Sequence, residues 1–154
     1  MKNRLALVSW LIVFSATLAL GGRLFARQSP ASPPTLALTP GEMMWSTPNA
    51  SGNDSTVLWG DRSHGQHATL SHYAAGFAIA PHYHTHDMRG LIVSGTWVLG
   101  IVGGSNHELP PGSYFSLPGK TAHTDLCKGP APCMIFLMQE DARDLVALTT
   151  ADKP

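Results

Sequence analysis

The chain is short of charge. Only 13% of its 154 residues are Asp, Glu, Lys or Arg, the two signs balance, and no block of either occurs. Without a basic stripe there is no electrostatic footprint for nucleic acid. Cysteine is scarce too: Cys127 and Cys133 are the two, and the Lys-Gly-Pro-Ala-Pro between them has neither the spacing of a zinc knuckle nor a histidine. No internal repeat, glycine-rich phosphate loop or nucleophile elbow is present. The length leaves room for one domain.

What is there begins with a leader. Basic Met1-Lys2-Asn3-Arg4 precedes an apolar run from Leu5 to Leu20 and a more polar stretch containing Leu24-Phe25-Ala26. These are the three parts of a secretory signal, so residues 1–26 are expected to be a signal peptide. A run of this length also borders on a spanning helix, and an uncleaved anchor is the alternative. Either way the domain is expected outside the cytoplasm, secreted or periplasmic, with membrane contact only through an uncleaved leader. A product starting near Arg27 carries seven basic and ten acidic residues. In an oxidising compartment Cys127 and Cys133 can close a disulfide worth about 2 kcal/mol; two buried thiols are the alternative.

Residues 27–44 are proline-rich, without an apolar period, and read as a linker. From 45 to 148 the pattern changes to short apolar runs at regular intervals: Thr56 to Trp59, Ala68 to Tyr73, Phe77 to Ala80, Gly90 to Val93, Thr96 to Val102, Tyr114 to Leu117 and Met134 to Gln139. Turn residues such as Ser94-Gly95, Gly103-Gly104 and Pro118-Gly119 separate them. With 15 glycines and 12 prolines, this predicts an all-β sandwich or barrel. Asp141 to Leu148 reads equally as a short helix or an edge strand, and His107-Glu108 as a solvated loop.

The histidines carry the chemistry. In an extended strand side chains alternate, so His82, His84 and His86 point one way while Tyr83 and Thr85 point the other. Imidazole is the commonest protein metal ligand, and it suits zinc, copper, nickel and iron. His82 and His84 on one strand and His123 on a later one can converge in a barrel interior, with His86 as a further candidate near the mouth. His72 is the reserve for a fourth corner, and His64 and His67 read as surface or lining residues. Met88 is expected in the pocket wall. Arg89, facing inward, would grip a substrate carboxylate bidentately. Gln139 and Asp125 are candidates to orient a ligand histidine through its second nitrogen.

Gly76, His82-Tyr83-His84 and Gly95 match the first motif of the cupin superfamily: glycine, five residues, His-x-His, three or four residues, glutamate, six residues, glycine. The glutamate is missing, its place falling on Met88 or Arg89. Gly112, Pro118 and His123 match the second motif, with Lys120 standing where the inner glycine belongs. From about Leu58 to Gln139 the chain thus resembles a cupin. Leu58-Trp59-Gly60-Asp61 and Leu109-Pro110-Pro111-Gly112 are most similar to small single-domain cupins of unassigned function; similar small cupins include the zinc-binding module of anti-sigma factors.

The resemblance implies a jelly-roll β-barrel over residues 45–148, after the signal helix and linker. It implies one divalent transition metal ion (Fe, Zn, Mn, Ni or Cu) at His82, His84 and His123. The expected function is that of an exported metal-binding cupin, either an enzyme of dioxygenase, isomerase or lyase type on a small organic acid or a non-catalytic sensor of metal or ligand. A small molecule is the expected partner, with no nucleic acid, and cupins often pair as homodimers.

Overall fold

The computed structural model describes residues 35–149. The expected signal helix and the first part of the linker lie outside them. After a short 3-10 turn at Pro40–Glu42 come ten strands: β1 (Asp54–Gly60), β2 (His67–Tyr73), β3 (Ala78–Tyr83), β4 (Met88–Ser94), β5 (Thr96–Ile101), β6 (Asn106–Leu109), β7 (Tyr114–Leu117), β8 (His123–Lys128), β9 (Cys133–Gln139) and β10 (Val146–Ala147). They form two five-stranded sheets, in the orders β1-β2-β9-β4-β7 and β10-β3-β8-β5-β6, with every pair antiparallel. The all-β expectation holds.

Alternation builds the core. On β9, Cys133, Ile135 and Gln139 are buried; on β4, Met88, Gly90 and Ile92; on β5, Trp97 and Leu99. Ile92 and Ile135, each 1% exposed, meet as cross-strand partners. Each buried side chain of this size contributes about 1.5–3 kcal/mol. Gly90 leaves room for a neighbour, since a Cβ there would lie 2.4 Å from the ring of Phe115. Gly95 joins β4 to β5 at φ +74, a backbone conformation that favours glycine.

Three strands lie outside the seven apolar runs. Asn106–Leu109 pairs with β5, so His107 and Glu108 lie on an exposed edge strand and not in a loop. The segment after Asp141 resolves as an edge strand, β10, against β3. The third is β8, at the centre of its sheet between β3 and β5. Its buried positions are His123, Asp125 and Cys127, two of them polar, and a search for apolar runs passes over it.

The Cys127 and Cys133 sulfurs stand 2.11 Å apart, at disulfide distance, at the end where β8 turns into β9. Among the described residues no helix is long and apolar enough to cross a membrane.

Candidate metal centre

His82 on β3 and His123 on β8 are direct cross-strand partners, and both are 1% exposed. His84 follows one residue after β3 ends. The expected three-fold alternation therefore stops at Tyr83, where the chain leaves the strand. The turn is pinned on both sides: Lys120 donates its backbone N–H to the His84 carbonyl at 2.7 Å, and the backbone N–H of Thr85 lies 3.1 Å from both Asp144 carboxylate oxygens. The Thr85 hydroxyl also donates to Asp144. This swings His84 back toward His82 and His123, with ring centroids 5.1 and 5.4 Å away, while the His82 and His123 rings are 4.2 Å apart.

One ring nitrogen from each of the three lies within 4.8 Å of the others. Hydrogen bonding says which. His82 Nδ1 lies 2.9 Å from the Ala80 carbonyl, His123 Nδ1 2.8 Å from the Thr121 carbonyl, and His84 Nδ1 2.6 Å from the Asp144 carbonyl. A carbonyl only accepts, so each Nδ1 is the protonated donor and each Nε2 keeps its lone pair. His82 Nε2 and His123 Nε2 are buried and have no hydrogen-bond partner. Burial lowers all three imidazole pKa values, holding the rings in the neutral form that ligates. Orphaned buried acceptors beside a third free imidazole suit a borderline divalent cation.

Asp125 brings a carboxylate to the same cluster. One of its carboxylate oxygens is 3.5 Å from both His82 Nε2 and His123 Nε2, while the other accepts from the Trp97 indole N–H at 2.9 Å. Burial raises its pKa to about 6, against the lowering effect of His82 and the Trp97 bond. Its expected role at the second nitrogens gives way, because backbone carbonyls hold all three Nδ1 atoms. Gln139 is held elsewhere: its side-chain amide meets His67 Nε2 at 3.1 Å.

Other candidates separate cleanly. His86 is half-exposed, 3.5 Å from Asp141, and outside the three-histidine cluster. His72 stacks on Trp45 at 4.1 Å and meets Asp54 at 2.8 Å, so it cannot fill a corner. His64 is exposed beside Asp61. Met88 lines a cavity of about 40 Å³ with His84, Asp125 and Gln139. Arg89 does not: alternation on β4 turns it away from Met88, and it pairs outside with Glu140 at 2.7 Å. The arginine that reaches this cavity is Arg143, after β9, in a segment with no motif to mark it. Asp125 did carry a signal, since it lies two residues beyond His123 on the same face of β8.

Two antiparallel sheets enclosing a histidine cluster define the class: a jelly-roll β-barrel of the cupin superfamily. Residues 34–142 match the ChrR Cupin-like domain family, and the chain belongs to it. Solved structures agree on the fold. KdgF from Halomonas sp. is 22% identical, with a TM-score of 0.58 over 72% of this chain and 97% of that one. An RmlC-like cupin from Shewanella frigidimarina is 18% identical, with a TM-score of 0.58 over 70% and 91%. The polyketide cyclase RemF from Streptomyces resistomycificus is 16% identical, with a TM-score of 0.60 over 78% and 89%. No curated protein matches the chain.

Proposed function

We propose that this is an exported, metal-dependent enzyme of the dioxygenase, isomerase or lyase type, acting on a small organic acid at one divalent transition metal ion held by His82, His84 and His123. The observation that carries the reading is the pair of buried, partnerless Nε2 atoms beside a third imidazole tethered in the same way. Asp125 supplies the anionic oxygen that the first motif lacks. A bound ion of this kind polarises a substrate oxygen or activates an oxygen donor. The chain's own part is to hold three rings in one tautomer and to keep a carboxylate beside them. Export is supported by the leader and by the disulfide-distance cysteines, which fit an oxidising compartment. Exposed Leu91, Val93 and Tyr114 on one sheet offer a face for pairing two copies.

The test is elemental analysis of protein recovered from the periplasm. About one metal per chain is expected, lost in His82→Ala and in His123→Ala; wild-type protein that takes up none of zinc, iron, manganese, nickel or copper overturns the reading. The small inner cavity, about 40 Å³, favours a second reading, a sensor that holds the ion without turnover. A panel of β-diketones, hydroxy acids, thiols and phenols offered to the metal-loaded protein separates the two.

A further inference from the structure

The inner cavity shares a wall with a larger one. A cleft of about 470 Å³ lies against it, and Tyr73, Ile79, Arg143 and Leu145 line both. A molecule too large for the inner space has room in the cleft, on the other side of these four residues from His84. Two arginines line the cleft, Arg62 and Arg143. Their segments are fastened together, because the Arg143 backbone N–H donates to the Arg62 carbonyl at 2.9 Å.

Neither guanidinium forms an ion pair among the described residues. Among the described residues the one side-chain bond to either is from Arg62 Nη1 to the Ser55 hydroxyl at 2.8 Å. Asp54 is the cleft's carboxylate, and His72 holds it at 2.8 Å. Burial and the nearby Arg143 charge both lower the Arg62 pKa, so the two cations are close enough to repel. Two cations thus share one carboxylate that His72 already holds, and a cleft with this excess of positive charge gains when an anion arrives. Arg89 is the contrast, already neutralised outside by Glu140.

We propose that Arg62 and Arg143 form a clamp for the carboxylate of an organic acid, seated in the cleft with its other end directed to the histidine pocket. The proposal rests on the metal-site reading for what happens at that other end, but not for the clamp itself. The apolar wall of Phe77, Ile79 and Leu145 gives the ligand's body a surface that a bare inorganic anion would not use. Guanidinium suits the task because its planar fork matches a carboxylate bidentately.

Benzoate, its neutral isostere benzamide, and inorganic phosphate serve as probes, titrated by NMR into both metal-free and zinc-loaded full-length mature protein. Benzoate is expected to bind at least tenfold tighter than benzamide, and tighter than phosphate. Arg143→Gln and Arg62→Gln are each expected to weaken benzoate at least tenfold, Arg143→Lys by less, and Arg89→Gln not at all. Zinc content should stay at wild-type level in all four. Equal binding of benzoate and benzamide, tighter binding of phosphate, or benzoate affinity within twofold of wild type in both glutamine variants overturns the clamp. If wild-type protein takes up no metal yet binds benzoate through these arginines, the metal reading falls and the clamp stands.

Discussion

His67 and His123 are equally hidden, at 0% and 1% exposure, yet they are built for opposite ends. His67 spends both nitrogens inside the fold: Nδ1 donates to the Gly65 carbonyl at 2.9 Å, and Nε2 lies 3.1 Å from the Gln139 side-chain amide, whose NH2 group donates to it once the amide is turned. His123 spends one, leaving Nε2 buried and unmet. Burial alone therefore does not mark a functional histidine. An unmet nitrogen does, because a native fold keeps a buried acceptor without a partner only where something outside the chain satisfies it.

The sharpest way to break this contrast is to truncate both rings. His123→Ala and His82→Ala should each lower metal affinity at least a hundredfold, and should cost the metal-free protein less stability than His67→Ala does, because the hole is partly offset by removing a buried nitrogen that had no partner. His67→Ala should do the reverse: metal stoichiometry stays at wild-type level, and stability falls by about 2–4 kcal/mol from the hole and the stranded Gln139 amide. Isothermal titration with zinc and thermal melts check both arms. If His67→Ala empties the site and His123→Ala does not, the distinction drawn from nitrogen partners is wrong.

Asp125 sharpens the same point from the acid side. Asp125→Asn should weaken metal binding about 10- to 100-fold, short of what losing a histidine costs. In metal-free protein at pH 8 the same change should stabilise, by about 1–2 kcal/mol, because an ionised carboxylate no longer has to be buried. Its folded pKa, about 6, exceeds the ordinary 3.8, so the folded state binds the extra proton between them. The penalty is thus full above about pH 6 and gone below about pH 4. The ligand histidines work in the opposite sense. Their folded pKa values lie below 6.5, so the unfolded chain takes up protons first and stability falls as pH drops below 6.5. Metal-free wild type should therefore lose less stability from pH 7 to 5 than Asp125→Asn does, and metal should leave both as the rings protonate. Denaturant melts across that range read the difference; identical profiles would remove Asp125 from the site.

How much of this was legible in the chain depends on where each residue's signal lies. The His82, His84 and His123 set could be read because spacing and a superfamily motif both mark it, and the seven apolar strands because period-2 burial writes itself into sequence. Central strand β8 was marked only by His123, because the residues it buries are a histidine, an aspartate and a cysteine, and an apolar count cannot see a strand whose inward face is polar. Arg89 and Arg143 show the second limit. Arg89 sits in a marked stretch and was expected inside, yet its neighbour Met88 takes the inward position. Arg143 sits in an unmarked segment, and only the folding of that segment over the cleft brings it to the site.

The smallest expected effect tests the motif departure at Lys120. Among the described residues it is the one non-glycine at positive φ, +65, in the place where the cupin pattern has glycine. Its backbone N–H donates to the His84 carbonyl at 2.7 Å, and that bond holds the turn that brings His84 to the other two rings. A side chain with a Cβ in this region costs about 1–2 kcal/mol, and glycine returns part of the gain as unfolded-state entropy. Lys120→Gly should therefore raise stability by about 0.5–1 kcal/mol and leave zinc affinity unchanged, since the backbone bond survives. Lys120→Val should lower both, because a β-branched residue resists the left-handed region and loosens the His84 turn. Should Lys120→Gly weaken zinc binding while the melt improves, the lysine side chain, and not its backbone, is what the centre relies on.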